Sequence, residues 1–242
     1  MRETPDIETS SDSYAQRFSG AAGYYLLSIQ QATIADALSA PFGSTVLDVG
    51  GGHGQLVPDL LKSGHDVTLT GSSNDCYKRV RESKGGEDIK LVTSDLLNLP
   101  FPDNSFDLVI SVRLISHIED WPRLLSEFCR VARTAIVIDY PSTLGINAFT
   151  PLLFKVKRGI EKNTRNYRSF SRKELSMELN RNDFCVAGVY PQFVLPMVVH
   201  RAMKGAGWLR SVEKFCATIG ITRIFGSPVI LRADYCGGRG DG

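Results

Sequence analysis

A short apolar strand that runs into a glycine-rich turn is the feature that most restricts what this chain can fold into. Residues 46–49 read Val-Leu-Asp-Val, and three glycines follow at alternate positions, Gly50, Gly52 and Gly54. The pattern of residues 56–62 then predicts a helix. Glycine permits positive φ and lets a ligand pack directly on main-chain atoms. This order of strand, turn and helix therefore predicts a ligand site on the backbone of the turn.

Strand and helix patterns alternate along the next hundred residues. Apolar runs of strand length recur at residues 66–70, 89–93, 106–112 and 135–139. Helical patterns lie between them at residues 74–83 and 121–132, and two further strands are predicted at residues 184–195 and 228–233. This alternation predicts an α/β fold with a doubly wound, mostly parallel seven-stranded sheet and helices on both faces. Ligands bind such sheets at the carboxyl ends of the strands.

Composition and charge exclude several classes of protein. Of 242 residues, 43% are hydrophobic, which is enough for a core, and 28 Lys and Arg against 26 Asp and Glu leave a net charge of +2. That balance argues against a protein that coats nucleic acid, so we expect no nucleic-acid partner. No apolar run is long enough to cross a bilayer, and the polar N-terminus has no apolar signal region. We therefore expect a cytoplasmic protein.

The cysteines argue against a disulfide framework and against a zinc site. Five cysteines are an odd number, and they are scattered without a C-x-x-C pair. We therefore expect all of them to be reduced and buried, and we expect no metal site. These residues are Cys76, Cys129, Cys185, Cys216 and Cys236.

The glycine spacing also argues against a dinucleotide site. A dinucleotide turn reads G-x-G-x-x-G, and Gln55 stands where its last glycine would fall. Asp48, at the end of a buried strand, would be costly without hydrogen-bond donors. We expect loop amides to hold its carboxylate while it shapes a site for a cationic ligand.

Several segments together resemble the class I S-adenosylmethionine (SAM)-dependent methyltransferases, in the branch that serves small-molecule and quinone biosynthesis. The glycine turn resembles the first motif of that family. The other similar segments are Ser94-Asp95-Leu96, FPDNSFD at residues 101–107, SHIED at residues 116–120 and FSRKEL at residues 170–175. The resemblance covers residues 40–140 well. It implies a Rossmann-like fold, SAM as the cofactor and S-adenosylhomocysteine as the product.

The resemblance also implies a set of cofactor-binding residues. Asp95 would take the adenine amino group, the next residue would supply a backbone amide, and Arg17 on a lid helix would meet the methionine carboxylate. The same residues also have plainer interpretations, as a structural turn, a loop cap or an exposed helix charge. The full set is Tyr14, Arg17, Asp48, Gly50, Gly51, Gly52, Gly54, Gly71, Ser72, Ser73, Asp95, Leu96, Ser111 and Val112.

The end of the second strand departs from the family pattern. The family usually has an acid there that accepts both ribose hydroxyls, and this chain reads Thr70-Gly71-Ser72-Ser73. Ser72 and Ser73 are the expected substitutes, and Asp75 is a less well placed acid. Loss of a charge-assisted pair costs roughly 1–3 kcal/mol.

Three residues near the predicted pocket are candidates for acceptor chemistry. His117 is a candidate general base, and its alternative is a histidine tied to the backbone near Asp120. Tyr140, after the fifth strand, orients a substrate or is a half-buried aromatic residue. Arg113 pairs with an acidic substrate, or with Glu119 or Asp120.

The resemblance divides the chain into an N-terminal lead and lid helix (residues 1–30) and a SAM-binding methyltransferase domain (residues 31–242). Within that domain, residues 141–226 include a helical insertion that covers the substrate. The first dozen residues are expected to be mobile, and one helix to span residues 14–38. Nine Lys and Arg fall between residues 155 and 181. They form a solvated helix face, or they contact an anionic membrane surface or an acidic substrate.

These observations favour methyl transfer from SAM to a small-molecule acceptor of hydrophobic or acidic character, by in-line displacement. RNA or protein substrates are one alternative, which the basic run favours slightly. A non-catalytic SAM-fold partner module is another, and the missing acid of strand two is its main support. The sequence does not identify the acceptor atom or the oligomeric state.

Overall fold

One seven-stranded sheet organises the chain. The computed structural model describes residues 3–52, 54–82, 89–144, 167–203 and 206–238. The strand order is β3-β2-β1-β4-β5-β7-β6. The strands are β1 (Thr45–Val49), β2 (Asp66–Gly71), β3 (Lys90–Thr93), β4 (Phe106–Ser111), β5 (Ala132–Tyr140), β6 (Phe184–Pro191) and β7 (Val229–Tyr235).

The sheet is parallel apart from one strand. β1 pairs in parallel with β2 and β4, and parallel pairing continues to β3 on one side and β5 on the other. β7 is antiparallel to both β5 and β6. The strand order reverses between β1 and β4, which is where such sheets form a crevice for ligands. The predicted Rossmann-like, doubly wound and mostly parallel sheet is confirmed.

Helices cover both faces of the sheet because successive strand residues point to opposite sides. Leu47 and Val49 pack in one core with the helices over residues 121–131 and 172–181, whereas Val46 packs in a second core with the helices over residues 20–37, 57–62 and 78–82. All six residues of β4 are buried, as expected for a central parallel strand. The helices are α1 (Pro5–Thr9), α2 (Asp12–Gln16), α3 (Gly20–Ala37), α4 (Val57–Lys62), α5 (Lys78–Glu82), α6 (Trp121–Val131), α7 (Arg172–Arg181), α8 (Met197–Ala202), α9 (Gly207–Thr218) and α10 (Ile221–Phe225).

The N-terminal segment is packed against the domain, so the expectation of a mobile lead is wrong. α1 buries Asp6 completely, at 0% exposure. The single helix expected over residues 14–38 is two helices, α2 and α3. The interruption follows from Gly20, whose φ of +68° leaves the right-handed helical region.

A disulfide joins Cys185 to Cys236, so the expectation of five reduced cysteines is also wrong. Cys185 lies in β6 and Cys236 directly follows β7, and the antiparallel pairing of these strands brings their Cα atoms to 5.8 Å. Their separation of 51 residues gave no sequence signal. The three free cysteines are Cys76, Cys129 and Cys216.

The C-terminal third differs in detail from its prediction. The strand predicted over residues 184–195 ends at Pro191, and α8 follows it without having been predicted. Part of the basic run, at residues 155–166, lies outside the described residues. Two of its described members pair with acids, Arg168 with Glu174 and Arg181 with Glu178. None of the helices in the described part of the chain has the length and apolar character of a membrane span.

Candidate functional site

The glycine turn lies at the crevice of the sheet, directly after β1. Gly50 and Gly54 have φ values of +74° and +63°, which favour glycine. The Gly50 amide donates to the Thr70 carbonyl of β2 at 2.8 Å, and the Gly54 amide donates to the Gly51 carbonyl at 2.8 Å. The turn is therefore tied to the neighbouring strand and closed on itself.

The carboxyl group of Asp48 lies beneath this turn. Its side chain is 1% exposed, and a Cβ added to Gly51 would lie 2.0 Å from Asp48 Oδ2. Burial raises the pKa of this carboxyl group to about 7, and the Arg113 guanidinium opposes the rise. Oδ1 has no hydrogen-bond partner within the described residues, so the expected loop amides do not reach it. A buried acceptor in this state is suited to a cationic or hydrogen-bonding ligand.

A small cavity opens between the turn, Asp48 and the N-terminal segment. Its volume is about 20 Å³, which is space for about one water molecule and far too little for a nucleoside. The lining residues come from α1, β1, the glycine turn, the two residues before α4 and the two residues after β4: Thr9, Asp48, Gly50, Gly51, Gln55, Leu56, Val112 and Arg113.

The tip of β2 is occupied by a carboxylate from the N-terminal segment. Asp6 accepts hydrogen bonds from the Ser72 amide at 2.6 Å and from the Ser72 hydroxyl at 2.5 Å. The Cys76 thiol contacts Asp6 Oδ2 at 3.3 Å. Ser73 instead caps the following 3₁₀ turn through a hydrogen bond from the Asp75 amide at 3.3 Å. The end of β2 lacks an acid of its own, but α1 places one against it.

α1 also covers the glycine turn itself. A Cβ added to Gly52 would lie 2.0 Å from Ser10 Oγ, so Ser10 sits directly on the turn. The segment is held at both ends. Glu3 accepts from the Glu119 amide at 2.7 Å, and Asp12 pairs with Arg79 at 2.6 Å. In this arrangement α1 fills the crevice that a cofactor would need.

The ends of β2 and β3 are tied together beside the crevice. The Thr70 and Ser94 hydroxyls lie 2.8 Å apart. Asp95 Oδ1 accepts from the Leu97 amide at 3.0 Å, so its carboxylate shapes the loop that follows β3. Leu96 is fully buried, and Gly71 receives further support because its amide donates to the Tyr77 hydroxyl at 2.9 Å.

Arg113 and Asp139 meet where β4 and β5 end. Arg113 has a φ of +63°, and its amide donates to Asp139 Oδ1 at 2.5 Å. Burial raises the pKa of Asp139 to about 6, against the effect of hydrogen bonding and charge from Arg113. The Arg113 guanidinium donates to Gln55 Oε1. Of the partners expected for Arg113, neither Glu119 nor Asp120 is found. Nearby, the buried Ser111 hydroxyl donates to the Val49 carbonyl at 2.8 Å.

The lid helix predicted near the N-terminus supplies aromatic rings around Arg113. The Arg113 guanidinium lies 4.7 Å from the Phe18 ring centroid and 5.8 Å from that of Tyr14. Burial raises the pKa of the Tyr14 hydroxyl. Arg17 is exposed and lies over the Tyr14 ring at 5.1 Å.

The other two candidates for acceptor chemistry have different surroundings. His117 is half-buried, and its ring lies 5.7 Å from that of Tyr167. Tyr140 is 2% exposed and belongs to the core that contains α6, and burial raises its pKa to about 12. Tyr140 is therefore closed to a ligand in this arrangement, whereas His117 is near the surface.

Sequence reasoning missed the roles of Asp6 and Asp139. Asp139 is a carboxylate at the carboxyl end of a predicted strand, and that position was a usable signal. Asp6 carried no signal, because its partner Ser72 is 66 residues away along the chain. Across the described residues, no group of three or more His, Cys, Asp or Glu side chains could hold a metal ion.

Comparison with protein families matches residues 47–135 to the model of a methyltransferase domain. The chain is 39% identical over 97 residues to phosphatidylethanolamine N-methyltransferase of Cereibacter sphaeroides, covering 38% of this chain and 46% of that one. It is 29% identical over 143 residues to demethylmenaquinone methyltransferase of Thermobifida fusca, covering 54% and 58% respectively.

The chain spans only part of the length of several curated relatives. It covers 32%, 39% and 54% of the length of three of them. Among solved structures, magnesium protoporphyrin IX methyltransferase from Synechocystis PCC 6803 with bound S-adenosylhomocysteine has a TM-score of 0.62. It is 15% identical, and the match covers 95% of this chain and 97% of that one. At this identity the likeness establishes a shared fold.

Proposed function

We propose that this chain is a class I SAM-dependent methyltransferase and that it transfers a methyl group from SAM to a small apolar acceptor. The observation that carries the proposal is the unpartnered Oδ1 of Asp48 beneath a glycine turn at the reversal of strand order. A buried carboxylate in that place suits a cationic ligand, and SAM carries positive charge on its sulfonium and its amino group.

The residues of the crevice fit this cofactor in type. We propose that Gly50, Gly51, Gly52 and Gly54 let it approach the backbone and that Asp48 offsets its positive charge. Gly71, Ser72 and Ser73 would face the ribose, Asp95 and Leu96 the adenine, and Ser111 and Val112 the opposite wall. Tyr14 and Arg17 would close over the site from the lid.

When bound, SAM supplies an electrophilic methyl group on its sulfonium, so the protein needs no covalent nucleophile. The task of the chain is to align the acceptor, which can remove roughly 7–11 kcal/mol of the barrier. We propose that Arg113, Phe18 and Tyr14 form the wall that orients the acceptor. Arg113 would attract a negative group, and the aromatic rings would pack on an apolar one.

A general base is needed only if the methyl acceptor must lose a proton before it attacks. We propose His117, Arg113 and Tyr140 for acceptor chemistry, although Tyr140 is enclosed in the core while α1 covers the crevice. Asp139 is a further candidate, since a carboxyl group with a pKa of about 6 is mostly ionised at neutral pH.

The apolar character of the acceptor is supported by two observations. The wall beside Arg113 is aromatic, and relatives of the chain are named for methylation of phosphatidylethanolamine, demethylmenaquinone and sterols.

We propose that residues 1–30 act as the lid, and that residues 141–226 contribute the acceptor cover. We further propose a cytoplasmic protein, in which the Cys185–Cys236 disulfide would be unusual.

Isothermal titration with SAM and S-adenosylhomocysteine tests the proposal. We expect micromolar binding of both, about −8 kcal/mol, and a loss of at least tenfold in Asp48→Asn for SAM. Asp59→Asn is the matched control, because Asp59 is an exposed acid on the adjacent helix. If the folded wild-type protein binds neither ligand at millimolar concentration, the result would contradict the methyltransferase proposal. The non-catalytic partner module would then be the remaining interpretation. A salt-dependent shift of RNA in the presence of SAM would favour the RNA substrate.

A further inference from the structure

A concentration of exposed apolar side chains marks the surface formed by α9 and α10. In and just after α9, Trp208, Val212, Phe215 and Ile219 are spaced four, three and four residues apart, so they form one stripe. They are 55%, 36%, 63% and 52% exposed, and in α10 Ile224 and Phe225 are 60% and 44% exposed. We call these six residues the α9–α10 face.

The orientation of α9 is fixed, so this stripe cannot turn into the core. Leu209, on another side of the helix, is fully buried. Glu213 is 5% exposed and accepts hydrogen bonds from the backbone amides of Val194 and Leu195, each at 2.9 Å. Its Oε1 also lies 3.0 Å from Nε2 of the buried His200. These contacts of Glu213 hold the inner side of α9 against the protein, which leaves the α9–α10 face directed outward.

The charges of the same segment have one sign where they are exposed. Residues 206–226 contain the cations Arg210, Lys214 and Arg223, and Glu213 as their sole acid. Lys214 and Arg223 are exposed, whereas the Arg210 guanidinium lies over the Tyr25 ring at 5.0 Å, away from the stripe, and Glu213 is buried beneath α9. A helix with exposed Trp and Phe, apolar neighbours and an excess of basic residues has the composition of an interfacial membrane helix.

We propose that the α9–α10 face docks onto the surface of an anionic lipid bilayer, with its apolar side chains inserted at the level of the headgroups. Lys214 and Arg223 add attraction, because long Lys and Arg side chains reach toward the headgroups and the potential of the bilayer extends about 10 Å into solution. None of the six residues of this face belongs to the basic run at residues 155–181. It goes beyond the proposed methyl transfer, although it would bring the chain to the phase in which an apolar acceptor dissolves.

Co-sedimentation with vesicles tests the proposal without any cofactor or acceptor. We expect the full chain to bind vesicles of phosphatidylcholine with phosphatidylglycerol at least tenfold better than vesicles of phosphatidylcholine alone, and less in high salt. The double variant Trp208→Ser, Phe215→Ser should lose this binding, and Lys214→Glu, Arg223→Glu should weaken it severalfold. Met177→Ser is the control, because Met177 is 50% exposed on α7, a different helix that packs in the same core as α6.

The outcomes separate this proposal from its rivals. Loss of binding in the apolar variant, with an unchanged circular dichroism spectrum, supports it. No preference for anionic vesicles, or unchanged binding in the apolar variant, overturns it. A dimer in sedimentation velocity that the same variant dissociates also overturns it, because a second copy would then cover the face. SAM titration of the same samples is independent, so failure of the methyltransferase proposal would leave this result interpretable.

Discussion

Asp48 is a buried acid whose protonation links the stability of the empty protein to ligand binding. Its pKa is raised to about 7, above the 3.9 of an unfolded aspartate. Between pH 4 and pH 7 the unfolded chain is therefore ionised while the native carboxyl group keeps its proton. The free energy of unfolding falls as pH rises through this window, by on the order of 4 kcal/mol in total from Asp48.

The first prediction is that Asp48→Asn flattens this dependence, because the amide does not titrate. Urea unfolding at pH 5 and pH 7 measures the slope for both proteins. Asp139 adds a weaker fall that ends near its pKa of about 6, so some slope should remain in Asp48→Asn and decrease further when Asp139→Asn is added. Equal slopes in the wild type and the double variant would contradict the raised pKa values.

The second prediction concerns the affinity for SAM. The ionised form of Asp48 attracts the cationic ligand, so the affinity should rise with pH up to about 7, by about tenfold per pH unit below it. Titration calorimetry at pH 5.5, 6.5 and 7.5 measures the change. In Asp48→Asn the dependence should be largely absent, whereas a parallel dependence in that variant would assign the titration to another group.

At the scale of elements, α1 and a ligand in the crevice would compete for the same space. The helix places Asp6 on Ser72 and Ser10 on the glycine turn, and the remaining cavity is about 20 Å³. At the proposed site, SAM would therefore enter only when α1 moves. The apparent affinity of any ligand is reduced by the fraction of molecules in which the crevice is open.

The third prediction is that Asp6→Ala tightens SAM binding by about tenfold, because it removes the hydrogen bonds that hold α1 in the crevice. Ile7→Ala is the control, since Ile7 is 41% exposed on the same helix and should change the dissociation constant less than twofold. Weaker binding in Asp6→Ala would show the opposite, that Asp6 belongs to the occupied site and substitutes for the acid missing from β2.

At the scale of the whole molecule, the disulfide fastens the antiparallel edge of the sheet. Cys185 and Cys236 are 51 positions apart, and the segment between them includes α8, α9 and α10. A crosslink over a loop of this length restricts the unfolded chain by about 4 kcal/mol in the entropic model. β6 and β7 lie at the far end of the strand order from β2 and β3, so this stabilisation is remote from the glycine turn.

The fourth prediction is that Cys185→Ser, Cys236→Ser lowers the free energy of unfolding by about 2–4 kcal/mol and leaves SAM affinity within twofold. Urea unfolding and calorimetry measure the two effects, and Cys216→Ser, at a half-buried free thiol, should alter neither. Thiol titration of the denatured, unreduced protein should detect three thiols. Five thiols, or an unchanged free energy of unfolding, would contradict the crosslink.

The local pattern of the sequence is sufficient to predict the sheet and the glycine turn. The alternation of strands and helices, and the glycines after residues 46–49, reflect interactions within a few residues, so β1, β4 and α6 end within two residues of their predictions. The carboxyl ends of β1, β2, β3 and β4 could likewise be assigned to a site, because parallel strands must end at the same edge of a sheet.

The sequence by itself therefore determined the fold class, the glycine turn and the placement of Asp48, since each depends on short-range patterning. Only the tertiary structure decided that Asp6 fills the tip of β2, that Arg113 joins Asp139, and that Cys185 bonds to Cys236. These contacts join residues 66, 26 and 51 positions apart. No local periodicity encodes them, because they arise only when packing of the whole chain brings distant segments together.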